Sequence, residues 1–279
     1  MTSNHAVPKP GWRLLRTILR RPRDLSRFIR HVSDSYPPMD QESSRRFCEC
    51  NEYSLVDDRT VVLHRDGTVS ERWRYVAVLN GSEALAMWDN STRFYDRRAW
   101  RPAVLRAVAR TPDGRTHQAT VSNRSIGKFG RDRMLSVSFH HLRPGTIVDY
   151  EEQRDVFHPY QIAPGVWGEF WHQTPAPCDL RRSTLAVARR FTAAYKLHNG
   201  AEPPRETTVG RYQVFRWVLH NVSGVRWDPW TPPPSEFLPW VEYSTLPTWE
   251  PVAKHFSRQL QPPLGTTAST RNLARALTE

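Results

Sequence analysis

The chain has 279 residues, 38% of them hydrophobic and 11% aromatic, enough to bury the core of one large domain or two small ones. Its 23 prolines exceed the usual share of about 5% and argue against a helical bundle, and no apolar run approaches the roughly 18 residues of a spanning helix. Net charge is +12, but residues 1–47 hold ten Lys and Arg against four Asp and Glu, which is +6 of the total, so a uniformly basic nucleic-acid-binding face is excluded.

Residues 1–46 read as a basic helical leader and linker. Leu14, Leu15, Ile18, Leu19, Leu25, Phe28, Ile29 and Val32 recur at helical spacing within residues 11–33, with arginines on the other face. Pro22 divides that pattern into two short helices. Anionic membrane or nucleic acid is a conceivable partner through this segment alone; a helix docked on the body is the preferred reading. Arginines interrupt every apolar stretch near the N-terminus, so no signal-peptide core is read and a cytoplasmic location is expected.

From residue 47 the texture changes to strands and turns. "TVVLHRDGTVSERWRYVAVLN" holds two β-rich runs around Asp66-Gly67, a hairpin signal because glycine accepts positive φ. In the second run Trp73, Tyr75, Ala77 and Leu79 alternate with Arg72, Arg74, Val76 and Val78. "AVLRAVARTPDGRTHQATV" repeats the plan with a Pro-Asp-Gly turn. In "RMLSVSFHHLRPGTIVDYEEQRDV", Leu135, Val137 and Phe139 point one way and Ser136, Ser138 and His140 the other. Further strands are expected at 166–173, 183–190, 212–219 and 236–243, although 183–198 also fits a helix. The whole reads as all-β, mainly an antiparallel β-sandwich over 47–245, with short flanking helices at both ends.

Three cysteines, Cys48, Cys50 and Cys178, give no disulfide framework, and Cys48 and Cys50 are too close for a zinc knuckle. No metal and no cofactor are expected. Cys178, His220 and Asp228 occur in the order of a nucleophile, base and orienting acid. However, Cys178 lies in a Pro-bounded extended stretch rather than at a helix N-terminus, and Asp228 precedes Pro229 in an apparent turn. An unusual cysteine hydrolase using this set is the alternative reading. Glu151-Glu152 and His140-His141 are neighbours on strands, so each pair diverges and neither reads as a dyad or metal pair. Trp167 and Trp171 share a strand face, and "VRWDPWTPPPSEFLPW" packs Trp227, Trp230, Phe237 and Trp240 among five prolines. Trp227, Trp230 and Trp240, with Trp249 and Phe256 downstream, are the candidate binding residues; sealing of the sandwich edge is the preferred reading.

The tail returns to helical spacing. Thr248 can cap a helix carrying Val252, Ala253, Phe256 and Leu260, ended by Pro262-Pro263. Taken in order, "VVLHRDGTVSERWRYVAVLN", "VLRAVARTPDGR", "RMLSVSFHHLRPGTIVDYE" and "STLPTWEPVAKHF" resemble a bacterial domain-of-unknown-function family that stands N-terminal to transglutaminase-like domains. The resemblance implies a β-sandwich accessory domain with no catalytic residues of its own. It implies a transglutaminase-like domain, or another protein, as partner. "RNLARALTE" resembles the start of that partner domain, so 246–279 reads as an exit helix and its truncated beginning. The expected function is a non-catalytic accessory and interaction domain of a Cys-His-Asp system acting on proteins or peptides.

Overall fold

A computed structural model describes residues 50–127, 132–156, 165–225, 230–246, 248, 250, 253, 254 and 257. Pairing begins at the hairpin of β1 (Glu52–Leu63) and β2 (Val69–Leu79). Gly67 turns it at φ 89°, and the Asp66 carboxylate accepts both the N–H and the hydroxyl of Thr68, at 2.9 and 2.7 Å. Helix α1 (Ser82–Asp89) follows, then β3 (Ser91–Asp96), β4 (Trp100–Arg110), β5 (Thr116–Gln118), β6 (Thr120–Ile126), β7 (Asp132–Ser138) and β8 (Thr146–Val156). The remaining elements are β9 (Trp167–Trp171), β10 (Cys178–Ala188), β11 (Ala194–His198), β12 (Arg205–Val209), β13 (Tyr212–Val222), α2 (Pro234–Phe237) and β14 (Trp240–Ser244).

An eight-stranded sheet in the order β12-β13-β10-β1-β2-β8-β4-β5 forms one layer. Two three-stranded sheets, β3-β7-β6 and β11-β14-β9, form the other. The β1–β10 pair is parallel and the other pairs are antiparallel. This is the mainly antiparallel all-β sandwich that the alternating runs predict.

Both small sheets pack on the same face of the large one, through separate cores. Tyr75, Ala77 and Leu79 of β2, Val148 and Tyr150 of β8, and Leu135, Val137 and Phe139 at the end of β7 fill the first, with Trp88 of α1 stacked on Tyr75 at 5.6 Å. Val61 and Leu63 of β1, Leu185 and Val187 of β10, Phe215 and Trp217 of β13, Phe170 of β9, and Val241 and Tyr243 of β14 fill the second. β1–β2 register sets Leu63 beside Val69, on the row that also carries Tyr75 and Leu79, so one face serves both cores.

The strand expected at 183–190 is the end of β10; the helix that 183–198 also fits does not form, because tertiary burial of Leu185 and Val187 decides a pattern that periodicity leaves open, and the run continues through a turn into β11. The strand expected at 236–243 is preceded by the single-turn α2, started by Pro234, and runs over Trp240–Ser244. Of the tail, Glu250, Ala253, Lys254 and Ser257 are helical, and Lys254 pairs with Glu250 at 2.6 Å. The leader 1–46 and Cys48 lie outside the described residues.

Candidate functional site

Between the two cores the shared face turns polar. Alternation sends Asp57 and Arg59 of β1, Glu71 and Trp73 of β2, Glu152 and Arg154 of β8, and Arg181 and Ser183 of β10 to the same side as the apolar rows. These residues floor a groove of about 600 Å³, walled by β9 and by Arg93 of β3.

Most floor charges are matched. Arg93 pairs with Glu152, and Arg154 with Glu71. Arg181 reaches Asp57 at 3.3 Å and also donates to the Thr174 hydroxyl at 2.7 Å. Asp57 accepts the Trp73 indole N–H at 2.9 Å, and Glu152 accepts the Tyr150 hydroxyl. The Arg93 guanidinium lies 5.6 Å from the Trp73 ring. Arg59 is exposed and has no carboxylate partner among the described residues.

The β9 wall presents a strand edge. His172 N–H donates to the Pro239 carbonyl and Thr245 N–H to the Val166 carbonyl, each at 2.9 Å. These bonds set the phase of the β9–β14 ladder: Gly168 and Phe170 turn their backbone groups to β14, while Trp167, Glu169 and Trp171 turn theirs to the open edge. The Trp171 carbonyl on that edge accepts from Arg181 at 3.0 Å. Trp167 is 46% exposed, and Glu169 accepts the Trp171 indole N–H at 2.8 Å. The Tyr243 hydroxyl lies under Gly168; burial, followed by the charge of Glu71, holds it well above an ordinary phenol, against Arg59 and Arg154 nearby.

The adjacent carboxylates separate as strand alternation requires, and His140 and His141, past the end of β7, also part. Glu151 pairs with Arg72 on the opposite face of the large sheet from Glu152, and Asp58 pairs with Arg182 at 3.1 Å away from Asp57. His140 contacts the Thr120 hydroxyl at 3.0 Å, while His141 packs on His117. No three His, Cys, Asp or Glu among the described residues are grouped to hold a metal ion.

Cys178 is fully buried, and burial pushes its thiol pKa up, the reverse of what a thiolate nucleophile needs. Register sets Cys178 opposite Val222 and the exposed His220 opposite Leu180, so these two are not paired. Asp228, Trp227, Trp249 and Phe256 lie outside the described residues. Trp230 is 92% exposed and does not line the groove. Trp240 stacks on His198 with centroids 3.9 Å apart and on Trp171 at 5.4 Å, a packed ladder across β11, β14 and β9.

Sequence reading missed two constellations. His64 Nε2 meets the Ser70 hydroxyl at 2.9 Å, and that hydroxyl donates to Asp155 at 3.0 Å. The serine stands between acid and imidazole, where a triad needs the imidazole in the middle, and both Ser70 and His64 are buried. A second cavity, of about 700 Å³, is lined by Tyr95, Arg97, Arg98, Arg101, Asn123 and Arg133. The groove left one signal: Glu71 falls on a strand position whose neighbours two residues away, Val69 and Trp73, are apolar.

No curated protein matches the chain. The fold superposes on a protein of Parabacteroides distasonis named as a "putative protease", with a TM-score of 0.64 at 15% identity, covering 81% of this chain and 49% of that one. The chain thus spans about half the length of that protein. An M1 zinc metallopeptidase of Deinococcus radiodurans matches far more loosely, with a TM-score of 0.36 at 11% identity over 70% of this chain and 43% of its own. A model of a Domain of Unknown Function with solved structure, DUF3857, matches residues 65–226. Those residues take in β2, β8, β9 and β10 of the groove but not β1, which carries Asp57 and Arg59, and over more than half its length the chain belongs to the DUF3857 family.

Proposed function

We propose that the chain is a non-catalytic module that binds polypeptide and serves a peptide- or protein-processing domain of the transglutaminase-like, Cys-His-Asp kind. The groove carries this reading. It offers an open strand edge, an exposed indole and an unmatched guanidinium, which are means of holding a ligand. The floor carboxylates Asp57, Glu71 and Glu152 are each committed to an arginine, which opposes their use in proton transfer. Coverage of about half of a larger protein named as a protease fits an accessory role, by fold-level analogy.

The test mixes the purified chain with a purified transglutaminase-like domain. Alone, the chain is expected to turn over neither fluorogenic peptides nor amine-transfer substrates. Added to the domain, it is expected to lower KM for a protein substrate. Turnover by the chain alone that disappears in Cys178→Ala would overturn the reading in favour of a cysteine hydrolase.

A further inference from the structure

We propose that the groove takes an extended polypeptide by strand addition to β9, with an acidic side chain of that peptide held by Arg59. This rests on the reading of the chain as a polypeptide-binding module and names the ligand that the module selects.

The backbone supplies the first argument. Trp167 and Glu169 turn both N–H and C=O to the groove, and neither residue has a recorded partner for those groups among the described residues. Exposed edges are ordinarily blunted by lysine, proline or a bulge. The stretch Trp167–Trp171 has no lysine, proline or bulge, its one charge, Glu169, accepts the Trp171 indole N–H, and only its last carbonyl is capped, by Arg181. Five residues offer an edge about 17 Å long, enough to pair with a short peptide strand.

Charge supplies the second argument. With Asp57, Glu71 and Glu152 matched by Arg181, Arg154 and Arg93, the floor keeps one positive charge, at Arg59. A strand added beside β9 sends alternate side chains down to the floor and outward. The inward position meets Arg59 and favours a carboxylate. Outward positions four residues apart meet Trp167 and Trp171, which favour apolar groups, and the outward position between them meets Glu169, which favours a neutral polar group. The recognised pattern is therefore a five-residue extended segment, apolar at both ends, with the acidic residue at an inward position, second or fourth.

The experiment measures fluorescence anisotropy of a labelled, terminally blocked peptide with a Leu-Glu-Ser-Glu-Leu centre, acidic at both inward positions, beside its Leu-Gln-Ser-Gln-Leu and Leu-Lys-Ser-Lys-Leu counterparts. The acidic peptide is expected to bind about tenfold or more tightly than the glutamine peptide. Arg59→Ala should remove that difference, and Arg59→Glu should move the preference to the lysine peptide. Glu169→Pro deletes an edge N–H without touching the β14 ladder, so against Glu169→Gln, which removes the same charge, it should weaken all three peptides alike with the thermal midpoint kept. If Glu169→Pro fails to fold, slowed amide exchange over residues 165–172 on binding reports the same contact.

Peptide binding indifferent to Arg59 and to Glu169→Pro would overturn strand addition while leaving the module reading intact. Enhancement of a transglutaminase-like domain with no peptide bound by the chain would do the same. A chain that instead dimerises, and becomes monomeric in Glu169→Pro, would show that a second copy fills the edge.

Discussion

His172 stands one residue past the end of β9 with 4% of its surface exposed, its N–H donating to Pro239. Burial, with the nearby charge of Arg181 adding to it, pushes its pKa from 6.5 down to about 4. Above pH 6.5 the ring is neutral in folded and unfolded chains alike, and it leaves stability unchanged. Between 6.5 and about 4 the unfolded chain binds a proton that the folded chain refuses, so stability falls as pH falls through that window. Denaturant midpoints measured from pH 7 to pH 4 should therefore decline less steeply in His172→Leu than in the parent chain. Equal slopes would show that the ring is protonated without cost in the folded state. Arg181 is the other residue on which this end of the groove depends. One guanidinium serves Asp57, Thr174 and the Trp171 carbonyl, so it ties β10 to β1 and to the groove wall at once.

At the scale of the element, β9 is defined by Gly168. A Cβ there would stand 2.6 Å from the Tyr243 hydroxyl and 2.9 Å from its ring carbon. Gly168→Ala is expected to cost about 1–3 kcal/mol of stability through that overlap. Tyr243→Phe in the same chain should recover part of the loss, because it removes the nearer atom; a double variant no better than the single one would place the strain elsewhere. Strands such as β2 and β7 were legible in the sequence because one side of each is dry. Tyr75, Ala77 and Leu79, and Leu135 and Val137, announce their face by simple alternation. Helix α1 lies between two runs whose alternation reads only as strand. Yet Ala84 and Trp88, four residues apart, form its buried side, and Gly81 is required where a Cβ would fall 1.5 Å from the Asn51 side chain. The groove was harder still. Its floor comes from four strands spread between Asp57 and Ser183, and only register brings them together. The tryptophans that drew notice in sequence order divide in space, Trp171 and Trp240 into a packed ladder and Trp167 to the rim of the groove.

The whole molecule has two cores under one sheet. Phe139 lies at the centre of one and Phe170 at the centre of the other, at 0% and 1% exposure. Truncation of either to alanine is expected to cost about 3–5 kcal/mol. Because β2 and β8 contribute side chains to both cores, each single variant should still unfold in one transition, with tryptophan fluorescence and far-ultraviolet dichroism coinciding. Transitions that separate would show that the halves melt independently. The parallel seam between β1 and β10 has a consequence for how the chain is made. It joins Ser54 to Cys178, so one flank of β1 stays without its partner until well over a hundred further residues have been translated. At about 5–20 residues per second that interval is on the order of ten seconds. During it the nascent hairpin carries the apolar side chains of Val61 and Leu63 beside an unfilled strand position. Synthesis rate, and the chaperones that meet the emerging chain, therefore bear on its yield as directly as the stability of the finished sheet.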